Sequence, residues 1–376
     1  MSLGRASLLA RIDWALLAPA LVLSFLGLLT MHTFGAGASL APRQLLWLAL
    51  GVLVYFLLAS LDLRLLRRTP VVLALYGVAF LLLALVLVAS HAVMGAHSWF
   101  TFGGLSFQPA DFAKLALISL LAKYLSRRHV AIGDFRHILI SGAYAAALTL
   151  LILVEPDLGN AIIFGALWLG LMLLSGISKR HLAIIGAAGL AAALLLWFGG
   201  LHQYQRERIL SFVNPASDIQ GAGYNAYQAK IAVGSGELFG KGIGYGTQSK
   251  LRFLPEYQTD FIFAAFAEEW GFAGVALALA LYGLLFARLL AIARGSATNF
   301  DAFFTLGALV LLAAHVVIHA GISLGLLPVT GTTIPFMSYG GSHLLLEFTL
   351  LGIVTSLARY GQAAPREALA NEYLGG

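Results

Sequence analysis

Asp260 is the residue whose type and setting most plainly ask for chemistry. It lies in Pro255-Glu256-Tyr257-Gln258-Thr259-Asp260-Phe261-Ile262-Phe263, where a polar, Gly-rich segment gives way to a long apolar run. An ionisable side chain where a membrane span meets water is a candidate functional group. Pro255 cannot continue a preceding helix, and Thr259 or Asp260 can cap the next one, so capping is the structural alternative. As a general base, Asp260 would need a substrate hydroxyl within hydrogen-bond reach. Nearby cations would keep it ionised but weaken it as a base, and partial burial would act the other way.

Cations are at hand. The segment before Asp260 carries Arg206, Arg208, Lys230, Lys241, Lys250 and Arg252, a set suited to an anionic leaving group. Glu268 and Glu269 lie further along the same helix. At about 100° and 1.5 Å per residue, Glu268 is about 80° round and 12 Å on from Asp260, too far to share a proton. Their expected role is structural support, satisfying a buried partner. Asp111 and Lys114 stand at i, i+3 behind Pro109; they share a helix face and can neutralise each other, or Lys114 can hold a phosphate. In Glu155-Pro156-Asp157-Leu158-Gly159-Asn160 the Pro and Gly reverse the chain, and the carboxylates can cap the next helix or join the site. Ser338-Tyr339-Gly340-Gly341-Ser342 offers hydroxyls that can cap or bind a polar group. His315 and His319 stand at i, i+4, where a hydrogen-bonded helix contact is expected over a metal face; His91, His97 and His202 carry no spacing signal.

The elements that must position these groups are membrane helices. Of 376 residues, 60% are hydrophobic and 11% charged, against about 25% charged in a typical soluble domain. Apolar runs predict ten spans at 12–31, 44–60, 71–90, 109–125, 137–154, 159–176, 182–199, 260–293, 302–326 and 344–360. The first is longer than a signal-peptide core and is read as retained. The eighth far exceeds about 20 residues and must tilt or extend past the bilayer. Arg5, Arg11, Arg64, Arg67, Arg68, Lys123, Arg127, Arg128, Arg136, Lys179, Arg180, Arg288, Arg294, Arg359 and Arg366 fall on one set of loops and ends, and only Arg43 on the opposite short loops. The positive-inside rule then places both termini in the cytoplasm and segment 201–259 outside. That topology explains the net charge of +6 without nucleic acid. The absence of cysteine excludes disulfides and thiol chemistry. The expectation is one all-α polytopic membrane domain, 1–376, with a single large extracytoplasmic loop, 201–259, between spans seven and eight.

Taken together, several stretches resemble the SEDS family (shape, elongation, division and sporulation). They are FQPADFAKLA at 107–116, EPDLGN at 155–160, YQRERI at 204–209, GAGYNAYQAKIAVGSGELFGKG at 221–242, GTQSKLRFLPEYQTDFIFAAFAEEWG at 246–271 and SYGGS at 338–342. GKG at 240–242 and GTQS at 246–249 resemble the RodA-like elongation branch rather than the FtsW-like division branch. The resemblance implies a peptidoglycan glycosyltransferase that polymerises lipid II on the outer face of the bacterial cytoplasmic membrane. It further implies a class B penicillin-binding protein and other elongation-complex membrane proteins as partners. The family's essential Asp falls on Asp260. Gln258 stands where relatives usually have His, and Ser98 where many have Arg.

The mechanism that follows is an inverting transfer between two lipid-linked saccharides. Asp260 takes the proton of the acceptor hydroxyl, and polyprenyl diphosphate leaves. Lys114, Arg206, Arg208, Lys230 and Lys241, with Ser338 and Ser342, are the candidate substrate contacts, and a divalent cation (Mg or Mn) is a candidate cofactor. Two rival readings are a lipid II flippase, which would line a path with intramembrane charges, and a scaffold for the penicillin-binding protein.

Overall fold

A computed structural model describes residues 12–32, 40–89, 98–102, 105–128, 134–214, 222–251, 253–254 and 256–361. Arg5, Arg11, His91, His97, Arg252, Pro255 and Arg366 fall outside them. Ten long helices lie where the sequence predicts spans: α1 (Trp14–His32), α2 (Ala41–Ser60), α3 (Thr69–Ala89), α4 (Pro109–Arg128), α5 (Phe135–Val154), α6 (Leu158–Leu174), α7 (Lys179–Leu195), α11 (Ile262–Arg294), α12 (Asn299–Ser323) and α13 (Gly341–Gly361). Eight of them, α7 together with its π-helical continuation to Gly200, are long and apolar enough to cross a bilayer on those criteria alone. The other two are α6, apolar but only 17 residues long, and α4, which carries Asp111, Lys114, Lys123, Arg127 and Arg128.

The segment between α7 and α11 folds into α8 (Gln203–Val213), α9 (Ala222–Ser235) and a single turn, α10 (Thr247–Lys250). One exception to the all-helical pattern is a short antiparallel hairpin ahead of α4, β1 (Phe100–Phe102) and β2 (Leu105–Phe107), with Phe100 opposite Phe107. The sequence signals its helix starts well. Asp134, Asp157, Ser178 and Thr298 each accept a backbone N–H of the helix they precede, and Pro109 opens α4.

Helices α4, α12 and α13 form the centre. The α12 helix packs on α4, α6, α11 and α13; α13 packs along α2; α3 covers α4. Apolar burial alone drives little helix association inside a bilayer, so polar ties matter there. At the end of the bundle bearing most basic residues, Arg67 grips Asp301 through two bonds of 3.1 and 2.6 Å, and Lys123 donates to the Arg67 carbonyl. Arg288 grips Asp13 in the same bidentate way. By contrast α7 has no buried residue.

The over-long eighth run is not one helix. Gly271, at φ 65° and ψ −167°, breaks α11. That conformation is open essentially to Gly alone. The break leaves backbone groups unpaired, which a membrane does not tolerate, and the 237–242 segment supplies their partners. Lys241 N and Gly242 N donate to the carbonyls of Glu268 and Glu269 at 2.9 and 3.0 Å. Phe272 N and Ala273 N donate to the carbonyls of Glu237 and Leu238, both at 2.9 Å. A Cβ on Gly271 would lie 2.2 Å from Gly240 N, and one on Gly240 would lie 2.1 Å from the Glu269 carbonyl. The Gly-rich stretch of the loop is therefore a backbone-to-backbone splice across the break in α11.

Candidate active site

Asp260 sits in the turn Glu256–Asp260, just before α11. It is not the helix cap. That position belongs to Phe261, which makes no side-chain capping bond. The turn is pinned from several sides. Ser338 Oγ donates to the Thr259 carbonyl (3.0 Å), and Tyr339 N to the Gln258 carbonyl (2.8 Å). From below, Tyr257 and Phe261 join an apolar cluster with Ala229 and Ala232 of α9 and Ile322 at the end of α12. Gly331 lies against the carboxylate: a Cβ there would be 3.6 Å from Asp260 Oδ2.

Two further pieces face Asp260. The α5–α6 turn presents Asp157, whose oxygens cap α6 through Asn160 N (2.9 Å) and Nδ2 (2.8 Å) and receive Gln108 Nε2 at 3.3 Å. Helix α8 is docked on that turn, with Tyr204 Oη and Gln205 Nε2 donating to the Pro156 carbonyl at 2.8 and 3.0 Å. This docking points Arg208, stacked over the Tyr204 ring at 5.6 Å, toward the carboxylate. Burial, and after it the charge of Glu256, pushes the Asp260 carboxyl up to about 6; Arg208 and a Thr259 hydrogen bond pull it down, and Asp157 pushes up. Of the two opposing influences foreseen from the sequence, burial wins. The result is a carboxylate largely ionised at neutral pH yet more basic than an ordinary Asp.

Next to Asp157 lies Glu155, fully buried, with neither carboxyl oxygen hydrogen-bonded among the described residues. Burial first, and Asp157 second, push it up to about 8. Its neutral form therefore predominates at pH 7, and it adds little charge to the site.

The sequence-derived candidates separate into those that can meet a solvent-borne anion and those already engaged. Arg206 and Arg208 are half-buried on α8, and Arg206 Nε has no hydrogen-bond partner among the described residues. Lys230 is exposed on α9, with its stem against Gly325. Lys241 is different. Its Nζ lies 2.7 Å from Glu268 and 2.8 Å from Thr247 Oγ1, so its charge is already matched. Glu268, fully buried, also accepts from Thr247 Oγ1 (3.0 Å) and Gln248 N (3.1 Å), and Glu269 accepts Gly244 N (2.7 Å). Both carboxylates clamp the loop to α11.

Lys114 is likewise withdrawn from the cation pool. It is buried with its Nζ 3.0 Å from Asp111, and Ser342 Oγ donates to the other Asp111 oxygen at 2.7 Å. Ser338 spends its hydroxyl on the Thr259 carbonyl while accepting Ile334 N at 2.9 Å. His315 and His319 set Nδ1 at 3.1 and 2.7 Å from the carbonyls of Thr333 and Thr332. The physical reason is common to all these cases: a charge or hydroxyl inside a bundle must find a protein partner. His343 was not singled out by its sequence. Its ring stands between Asp111 and Glu347, and its i, i+4 spacing to Glu347 was the available signal. Among the described residues no three His, Asp or Glu side chains gather as a metal-binding group.

With this geometry in hand, known proteins can be compared. Residues 7–363 match the cell cycle protein family of FtsW, RodA and SpoVE. The chain is 36% identical over 325 residues to the stage V sporulation protein E of Bacillus subtilis, covering 86% of this chain and 87% of that protein. It is also 36% identical over 336 residues to the peptidoglycan glycosyltransferase MrdB of Escherichia coli, covering 89% and 90%. Among solved structures, it superposes with a TM-score of 0.79 and 34% identity on a chain of a peptidoglycan synthase complex, covering 94% of this chain and 99% of that one. With the rod shape determining protein RodA of Thermus thermophilus the TM-score is 0.68 at 33% identity, covering 93% and 97%.

Proposed function

The chain belongs to the SEDS family of FtsW, RodA and SpoVE proteins, and from that premise we propose that it is a peptidoglycan glycosyltransferase polymerising lipid II. It is a multi-pass protein of the bacterial inner membrane. The observation that carries the reading is Asp260: a carboxylate pushed up to about 6, beside Arg208, at the foot of the one large loop.

In the reaction, the acceptor sugar hydroxyl attacks the anomeric carbon of the donor. The new carbon–oxygen bond forms as the bond to the diphosphate breaks, with inversion. Asp260 takes the hydroxyl proton, and the negative charge collects on the departing polyprenyl diphosphate. Of the candidate cations, Arg206, Arg208 and Lys230 are in no ion pair among the described residues, unlike Lys114 and Lys241, and can meet that charge. A divalent cation belongs to the same reading. With no three-ligand protein group among the described residues, Mg²⁺ would rest on one or two carboxylates and the substrate diphosphate, as it commonly does. The lipid tails require the site to open sideways to the bilayer.

The positive-inside pattern supports placing this chemistry on the outer face, with both termini cytoplasmic. GKG at 240–242 and GTQS at 246–249 support the elongation branch, with a class B penicillin-binding protein as the crosslinking partner; restoring rod shape, but not septation, in depleted cells tests that assignment. The direct test of the mechanism is Asp260→Asn in purified protein with labelled lipid II. Asn keeps size and hydrogen bonding but cannot act as a carboxylate base. Polymer formation is expected to stop; a wild-type rate removes Asp260 from the mechanism.

A further inference from the structure

Beneath the Asp260 turn lies a buried ionic group that the chemistry above does not use. His343 Nδ1 lies 3.2 Å from Asp111, and His343 Nε2 lies 3.0 Å from Glu347 Oε1. With a carboxylate close to each nitrogen, the ring is charge-matched only with both nitrogens protonated; Nδ1 is hydrogen-bonded to Asp111, and Nε2 meets Glu347 as an ion pair without hydrogen-bond alignment. Lys114 and His343 then balance Asp111 and Glu347, and the quartet is neutral. Such balance is what lets charges persist inside a bundle.

The second oxygen of Glu347 points elsewhere. It accepts Phe336 N at 2.8 Å. Phe336 holds φ at 63°, a left-handed conformation that a bulky residue adopts only when its surroundings impose it. That one residue turns the chain so that Ile334 and Ser338 bond each other twice, Ile334 N to Ser338 Oγ (2.9 Å) and Ser338 N to the Ile334 carbonyl (3.2 Å). Ser338 Oγ and Tyr339 N then reach the carbonyls of Thr259 and Gln258. The path from Glu347 to Asp260 is thus continuous: one carboxylate, one strained residue, one tight turn, and two bonds to the residues just before the base.

We propose that Glu347, charge-balanced by His343, is a positioning residue for Asp260, acting through the Phe336 backbone and the 334–339 turn. This rests on the reading of Asp260 as the base, and the test separates the two. Three variants of the full-length protein in lipid nanodiscs are needed: Glu347→Leu, Glu347→Gln and Asp260→Asn. Gln keeps an acceptor for Phe336 N, and its amide can donate to His343 Nε2 once that nitrogen gives up its proton, so the group stays neutral. Leu fills the space and offers nothing.

Lipid II polymerisation and amide hydrogen exchange are read in parallel. Glu347→Leu is expected to lower kcat at least about tenfold with KM within about twofold. It should raise exchange in both 334–340 and 256–261. Glu347→Gln should stay within about threefold of the wild-type rate with unchanged exchange. Wild-type kcat for Glu347→Leu, an equal loss for Glu347→Gln, or faster exchange confined to 334–340 overturns the proposal. Should Glu347→Leu fail to fold, Ser338→Ala removes the side-chain bonds of Ser338 to Ile334 and Thr259 while leaving Glu347 and Phe336 in place; unchanged exchange at 256–261 then overturns it. A wild-type rate for Asp260→Asn refutes the base assignment alone, while the exchange data still judge the linkage.

Discussion

The acid limb of the polymerisation rate offers the sharpest quantitative test. Asp260 is pushed from 3.8 up to about 6, which corresponds to about 3 kcal/mol of bias toward its neutral form. If Asp260 must be ionised to act, kcat/KM follows its ionised share, about nine-tenths at pH 7 and about one-tenth at pH 5. A fall of about tenfold is therefore expected between those values, where an ordinary Asp would give almost none. The neighbours predict how the limb moves. Glu256 pushes the carboxyl up and Arg208 pulls it down, so Glu256→Gln should shift the midpoint toward acid and Arg208→Gln toward neutrality. Because Glu256 is exposed, its effect should shrink in high salt. The assay is initial-rate polymerisation of labelled lipid II from pH 5 to pH 8, scored against substrate concentration. A profile flat down to pH 5, or two variants moving the limb in the same direction, refutes the reasoning.

Other consequences concern stability as well as rate. Glu155 has a folded-state pKa raised to about 8, so stability intact below about pH 4.5 drains away as pH rises toward 8, by about 1.4 kcal/mol per unit; Glu155→Gln should flatten the pH dependence of the thermal midpoint over that window, and an unchanged slope counts against it. Gly271→Ala puts a Cβ 2.2 Å from Gly240 N at φ 65°, so a loss of about 3 kcal/mol or more is expected, and an unaltered midpoint would contradict the splice. Lys241→Met leaves the buried Glu268 carboxylate without its cation and should cost about 1–3 kcal/mol, whereas Lys230→Met, at an exposed site, should spare the midpoint and raise KM for lipid II.

Much of the frame was legible in the sequence because membrane helices announce themselves by length and apolarity. Asp260 stood out because a charge at such a boundary is conspicuous. The Lys114–Asp111 pair was legible from its i, i+3 spacing, but the fates of Lys241, Ser338 and Ser342 were not. Each looked like a possible substrate contact, and each is claimed by a protein partner; Lys241 and Glu268 are 27 positions apart, and Ser342 and Asp111 are 231 apart. Local spacing carries no information about pairings of that range. The capping alternative at Asp260 is set aside by the structure: α11 begins two residues after Asp260 and is uncapped by any side chain, and the turn before it is held by the 334–339 segment instead. Nothing in the spacing marks Gly271 as a break, since a break in a helix is visible only once its replacement partners are known.

The break at Gly271 has a mechanical meaning. Beyond it, the remaining part of α11 runs for about 34 Å, the reach of a bilayer's hydrocarbon core. The loop holds both sides of the break: two main-chain bonds reach the piece before it, which carries Glu268 and Glu269 and follows directly on Asp260, and two come from Phe272 and Ala273 just after it. The break is therefore clasped, with one loop segment bridging the two pieces of α11. A tilt of the membrane column would be handed, through Phe272 and Ala273, to the loop that also holds the piece before the break. Conversely, a displacement of the loop would reach the residues that follow the carboxylate directly, through Glu268 and Glu269.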